Sequence, residues 1–308
     1  MKKIVAYAHN NLPSTTKHQL NKVYQVLPNG LKKILVRVLF RRSNVWPPVS
    51  CICTTYGRPH LLEEAVHSFI VQDYPGDKEL IILNDYAQQT LAYEHPEVSI
   101  INLPKRFRTL GEKYKAAVGL CTHDLIFVWH DDEIYLPHRL TYAVKRHFEK
   151  KPYLIPKRYE SFFSIDKAWV WNGKKMRGPV LGRYPGSSSW SRALFAAARG
   201  YAHINDGFDH ELEARFAKHE PAHEIYDVQP QDIYYIQQEG ENSAYQLRDF
   251  TNHTGGNSYA RVADFVREQA ERGEISLGRV ELEPRWQTDY SKVVNDLLQT
   301  ALKQELSK

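Results

Sequence analysis

One stretch decides the fold: VSCICTTYGRPHLLEEAVHSFIVQDYPGDKELIILND, residues 49–85. Its first six residues, VSCICT (49–54), form a short apolar run of strand length, and ELIIL (79–83) forms a second. Between them Leu61, Leu62, Ala65, Val66, Phe69 and Ile70 recur at i, i+3 and i+4 spacing, which predicts a helix over 61–73. Working outward, 98–103 and the run LIFVW (125–129) read as further strands, with a helix over 110–120 between them. Strand, helix and strand at this spacing predict βαβ units, and hence a mainly parallel sheet covered by helices. In such sheets ligands sit outside the carboxyl ends of the strands, so the loops after Thr54, Leu83 and Trp129 are where chemistry is expected.

Composition agrees with a soluble globular chain. Of 308 residues, 42% are hydrophobic and 25% charged, which excludes collagen-like, disordered and disulfide-scaffold classes. The longest apolar runs fall far short of the ~20 residues needed to cross a bilayer, and the N-terminus lacks the pattern of a signal peptide. This predicts a cytoplasmic protein without a transmembrane segment. Cys51, Cys53 and Cys121 form no CxxC pair, so neither a disulfide framework nor a zinc knuckle is indicated. Cys51 and Cys53, two apart in a strand, share one face and read as buried free thiols.

The net charge of +5 is unevenly placed. Residues 1–50 hold nine Lys and Arg and no acid, and the first carboxylate is Glu63. The remainder carries 32 basic against 36 acidic residues, so the basic character belongs to an N-terminal extension, 1–46. Within it LKKILVRVLFRR (31–42) has the periodicity of a basic amphipathic helix, suited to anionic lipid or another polyanion; a helix packed on the main body is the bland alternative. Val45-Trp46-Pro47-Pro48 reads as a stiff joint to the body.

The three strand-end loops carry Thr54-Thr55-Tyr56-Gly57-Arg58-Pro59, Asn84-Asp85 and His130-Asp131-Asp132-Glu133. Carboxylates at the mouth of a buried parallel strand suit Mg²⁺ or Mn²⁺ with room left for substrate phosphates. A solvated turn is the bland reading of an isolated Asp-Asp-Glu run. Neither a GxxxxGK[ST] loop nor a GxGxxG is present, so a P-loop or dinucleotide-binding domain is not indicated.

The 49–85 stretch, followed by LIFVWHDDEIYLPHRL (125–140), closely resembles the nucleotide-sugar-binding half of glycosyltransferase family 2. The resemblance is strong over 48–145 and looser over 146–216. It implies a GT-A fold: α/β and Rossmann-like, a mixed but mainly parallel sheet flanked by helices, here with the basic extension and a helical C-terminal elaboration. The domains expected are 1–46, a core over 47–216 (donor half 47–145, acceptor half 146–216) and a C-terminal loop-and-helix segment, 217–308. Carried over, Thr54, Tyr56, Arg58, Asp85, Lys113 and Asp131 would bind the nucleotide, with Asp85 on the base, typically uracil. Asp132 would hold the metal, Mn²⁺ or Mg²⁺, with His130 as a further ligand where many members have a carboxylate. A capping or packing role for His130 is equally open. Among Arg106, Arg108, Lys113 and Lys115, one is expected to neutralise donor phosphate.

On the acceptor side, residues 205–215 resemble the family's [ED]-D-x-x-L-x-x-R helix. Asp209, Leu212 and Arg215 fit it, with Phe208 where an acid is usual. Asp209 is then the catalytic base, with Glu211 and Asp206 as fallbacks; a helix N-terminal Asp acting only on the macrodipole is the alternative. Residues 234–243 and 253–257 read as loops, 261–273 and 291–306 as helices, and Pro284-Arg285-Trp286 as either a wall of the acceptor cleft or packing. The implied activity is inverting, metal-dependent transfer from a nucleotide-sugar, a UDP-sugar by family habit. Two acceptors stay open: an envelope or lipid-linked saccharide, with 1–46 placing the protein peripherally at the inner membrane face, or a hydroxymethylated base in DNA. A GT-A domain that binds without catalysing is the third class.

Overall fold

The computed structural model describes residues 46–149, 160–219, 228–239 and 258–306. The basic helix expected over 31–42 and the loop at 253–257 lie outside them. In chain order the elements are β1 (Val49–Thr55), α1 (Pro59–Ile70), β2 (Lys78–Asn84), β3 (Gln89–Ala92), β4 (Val98–Asn102), α2 (Leu110–Leu120), β5 (Leu125–Val128), β6 (Glu133–Tyr135), α3 (Arg139–Glu149), β7 (Phe162–Phe163), β8 (Lys167–Trp171), β9 (Met176–Leu181), β10 (Ser189–Ser191), α4 (Arg192–Ala197), α5 (Phe208–His219), β11 (Tyr235–Gln238), α6 (Ser258–Glu271), β12 (Gly278–Glu281) and α7 (Tyr290–Leu306).

The main sheet has the order β4-β2-β1-β5-β10-β7. Strands β4, β2, β1 and β5 run parallel, and β10 and β7 join antiparallel. The mixed, mainly parallel α/β architecture is therefore the one the sequence pattern predicts. From β1 the chain builds outward to β2 and β4, then returns to the other side of β1 as β5. The order reverses between β1 and β5, and that switch point opens a crevice at their carboxyl ends.

Side-chain alternation explains why both faces are covered. Cys51, Cys53, Leu80, Ile82, Leu125 and Phe127 meet Leu62, Val66 and Phe69 of α1 and Leu140 and Val144 of α3 on one face. Ile52, Ile81, Leu83, Ile126 and Val128 meet Ala117 and Val118 of α2 and Leu212 and Phe216 of α5 on the other. Each fully buried side chain of this kind stabilises the fold by roughly 1.5–3 kcal/mol. All three cysteines are free and buried, as expected.

A second sheet, β6-β11-β8-β9, and a two-stranded pair, β12-β3, complete the described residues. Here the reading of 234–243 as loop is corrected: Tyr235–Gln238 is strand β11, antiparallel to β6 and parallel to β8. Its pattern is apolar at Tyr235 and Ile236 and polar at Gln237 and Gln238, too short to separate from loop by periodicity. The C-terminal stretch thus adds β11 and β12 to its helices. Trp286 packs: its indole N–H donates to Ser68 Oγ at 3.0 Å, and its ring lies 5.7 Å from that of Tyr290.

Two local features aim the strand-end loops. Pro59 begins α1 directly after Arg58, where a missing N–H costs nothing. Gly57 adopts φ +68, a left-handed conformation that a side chain resists, and a Cβ there would fall 2.3 Å from Val266 Cγ1 of α6. At α2, Thr109 Oγ1 caps the helix by accepting from the Glu112 N–H at 3.1 Å.

Candidate active site

At the switch point Arg58 joins the ends of β1 and β5. Its Nη2 donates to Asp131 Oδ1 at 2.6 Å and its Nη1 to Asp132 Oδ2 at 2.9 Å. All three residues are buried. Burial alone would lower the Arg58 pKa, but Asp131 and Asp132 outweigh it and hold the guanidinium charged above its ordinary range. Burial, reinforced by the neighbouring Asp132, pushes Asp131 up to about 6 although Arg58 opposes the shift. The pair of acids is thus kept together by a cation from the adjacent strand.

Asp132 also belongs to a second group. One ligand atom each from His130, Asp132 and Glu133 lies within 4.8 Å of the others. Burial drives Glu133 well above the carboxylate range, with Asp132 adding to it, and lowers His130 against the pull of Asp132 and Asp209. A divalent cation would offset the negative charge of the two carboxylates and bind the imidazole in the neutral form that burial favours. The donor set, two carboxylates and an imidazole, fits Mn²⁺; for Mg²⁺, which prefers oxygen throughout, the two carboxylates would serve. Glu133 is the member that sequence reasoning left out of the ligand set. Its signal was adjacency to Asp132, but its orientation depends on β11, where the Gln238 N–H donates to Glu133 Oε2 at 3.0 Å.

One strand over, Asp85 follows β2. Its Oδ1 accepts from Lys113 Nζ at 2.5 Å and its Oδ2 from the Phe107 N–H at 3.0 Å. Lys113 Nζ also donates to the Thr55 carbonyl at 2.6 Å, so α2 ties the β1 and β2 loops. Burial lowers the Lys113 pKa, and Asp85 counters it. Thr54 is buried at the end of β1. Tyr56, half-buried, has its ring 4.9 Å from that of Tyr86 and 4.3 Å from the Arg106 guanidinium. Of the other cations considered, Lys115 is exposed, and Arg108 is an exposed partner of Glu112 at 3.6 Å.

Asp209 enters from the far side. The loop before α5 docks on the N-terminus of α2, whose Leu110 and Gly111 N–H groups donate to Asn205 Oδ1 and the Ile204 carbonyl at 3.0 and 3.1 Å. That contact sets Asp209 in the first turn of α5, lining a cavity with His130, Ser188 and Glu213 above a floor of Tyr114, Trp190, Tyr201 and Phe208. Glu211 is tied elsewhere, accepting from Arg215 at 2.6 Å, while Arg215 also donates to the Gly200 carbonyl. The acid that shares the cavity is Glu213, one turn beyond Asp209. Glu213 accepts from Ser188 Oγ at 2.7 Å and from Arg183 at 3.1 Å. The structure therefore brings Thr54, Tyr56, Arg58, Asp85, Lys113, His130, Asp131 and Asp132 to adjoining strand ends, with Asp209 across a cavity that His130 also lines.

Residues 50–192 match the family description "Glycosyl transferase family 2". No curated protein matches the chain. Among solved structures, similarity extends to S. aureus TarS 1–349, at 12% identity and TM-score 0.44, covering 62% of this chain and 60% of that one. The same TarS fragment in complex with UDP-GlcNAc gives 13% identity and TM-score 0.44, covering 64% and 60%. The mannosyltransferase PcManGT from Pyrobaculum calidifontis, in complex with GDP-Man and Mn²⁺, gives 15% and 0.41, covering 74% and 71%. This chain spans about three fifths of the length of the TarS fragment. The segment matched by glycosyltransferase family 2, residues 50–192, is the one that carries Arg58, Asp85 and the His130–Glu133 cluster.

Proposed function

We propose that the protein transfers a sugar, with inversion, from a nucleoside-diphosphate donor to an acceptor hydroxyl, and that the donor is UDP-linked. The observation that carries this reading is the acidic cluster, bridged by Arg58, at the β1–β5 switch point, one strand from the Asp85–Lys113 pair. In this reading the Asp85 carboxylate accepts the base N–H, while Thr54 and the Tyr56 ring bound the nucleoside. Asp132, His130 and Glu133 hold a divalent cation, Mn²⁺ by preference. That cation, when bound, offsets charge developing on the departing diphosphate. Arg58 keeps Asp131 and Asp132 aligned, and Lys113 holds Asp85 in place. Asp209 takes the acceptor proton as the hydroxyl attacks the sugar C1 opposite the leaving group, a general-base contribution of about 10²–10⁴ in rate. Residues 47–145 form the donor half and 146–216 the acceptor half, with 217–308 supporting both.

The acceptor we favour is a saccharide hydroxyl. The cavity beside Asp209 combines aromatic rings with Asp209 and Glu213, a lining that suits neutral hydroxylated groups and repels phosphate. The basic segment 1–46 favours a second reading, in which the acceptor is carried on a polyanion, an anionic membrane surface or DNA. No helix among the described residues is long and apolar enough to cross a membrane. The test is donor turnover: a panel of UDP-sugars incubated with the protein and Mn²⁺ should release UDP, and EDTA should stop the release. Release from no nucleotide-sugar, or release indifferent to EDTA, would contradict the assignment.

A further inference from the structure

Helix α6 lies outside the family 2 segment, yet it is fastened to both loops of the proposed nucleoside pocket. The Arg106 guanidinium sits between two rings, 4.3 Å from the centroid of Tyr56 and 3.7 Å from that of Tyr259 on α6. Arg106 Nη2 donates to the Tyr259 carbonyl at 2.6 Å. The Tyr259 hydroxyl donates to the Phe107 carbonyl at 2.7 Å, and the Phe107 N–H donates to Asp85 Oδ2 at 3.0 Å. A continuous set of contacts thus runs from one residue of α6 to both groups meant for the nucleoside, the Tyr56 ring and the Asp85 carboxylate. The close fit of Val266 against Gly57 shows that α6 is seated here by packing as well as by Tyr259.

An arginine on a loop is ordinarily hydrated and free among many rotamers. Placing its charge over two aromatic rings fixes it, at the cost of side-chain entropy that the rings offset through cation–π attraction. We infer that Tyr259 is a positioning residue for the donor nucleoside: it holds Arg106 against Tyr56 and the Phe107 N–H against Asp85 before the nucleotide arrives. The inference rests on the reading of these strand ends as a nucleoside-diphosphate site. It concerns the base half of that site and leaves the diphosphate half to the His130–Glu133 cluster.

That division gives a readout that general loosening of the fold would not reproduce. Calorimetric titrations of the full chain with UDP and with inorganic pyrophosphate, each with Mn²⁺, compare the two halves. Tyr259→Leu should weaken UDP by about 2- to 30-fold, the range of one cation–π contact, and leave pyrophosphate unchanged. Tyr259→Phe, which keeps the ring, should recover most of the affinity. Arg106→Met should show a UDP-only loss no larger than that of Tyr259→Leu, and the double variant should lose no more than Tyr259→Leu alone, because the Arg106–Tyr259 contact is already gone there. Wild-type UDP affinity in Tyr259→Leu, equal losses of UDP and pyrophosphate, or additive losses in the double variant would overturn the inference. Failure of the wild-type protein to bind UDP with Mn²⁺ would overturn the underlying nucleotide reading instead.

Discussion

Asp209 and Glu213 stand one turn apart on α5, in the same cavity but in unlike surroundings. Glu213 is buried and held by Ser188 and Arg183, whereas Asp209 is half-buried and bonded to the following N–H, His210, at 2.8 Å. A base must be able to reach the acceptor and take its proton, so the acid less engaged with side chains suits the role, and Glu213 suits holding the cavity wall. Asp209→Asn should therefore keep UDP binding while sugar transfer falls by at least ~10², as loss of a general base requires. Transfer near the wild-type rate in that variant would move the base elsewhere. At this scale a motif that gives both residue and spacing offers Asp85, Asp132 and Asp209 as candidates, and the fold sets all three at the strand ends or the cavity. Glu133 and Glu213 escape it because their placement depends on contacts from β11 and from the Ser188 turn, far away in the chain.

Among the elements, β1, β2, β5 and α2 are readable because apolar periodicity alone specifies them. Strand β11 is not, since its short mixed run becomes a strand only when β6 and β8 flank it. The placement of α6 over the loops after β1 and β4 is equally hidden, because no periodicity says what a helix packs against. The seam between α3 and β10 shows what such packing costs a titratable group. His147 of α3 is buried, with Nδ1 2.5 Å from Ser161 Oγ and Nε2 2.8 Å from Ser189 Oγ, and burial lowers its pKa to about 3. The folded state keeps this imidazole neutral while the unfolded chain protonates near pH 6.5. Stability is accordingly full above about pH 6.5 and is lost as pH falls toward 3, on the order of 4 kcal/mol from this group. Melting temperatures followed from pH 7 to pH 4 should fall less steeply in His147→Gln than in the wild-type protein. Parallel slopes would show that His147 does not carry the acid limb.

At the scale of the whole molecule, the parallel core and its switch point follow from strand and helix order, which the sequence states openly. The acceptor side and the C-terminal segment depend on long-range docking, so the sequence offers candidates there without their geometry. The central claim concerns the donor: we propose that the ends of β1, β2 and β5 form one metal-assisted nucleotide site. Titrating UDP calorimetrically into the protein with Mn²⁺, with EDTA, and into Asp132→Ala with Mn²⁺ tests that claim most directly. The account predicts binding in the first case and its collapse in the other two. Equal UDP affinity in all three would contradict it.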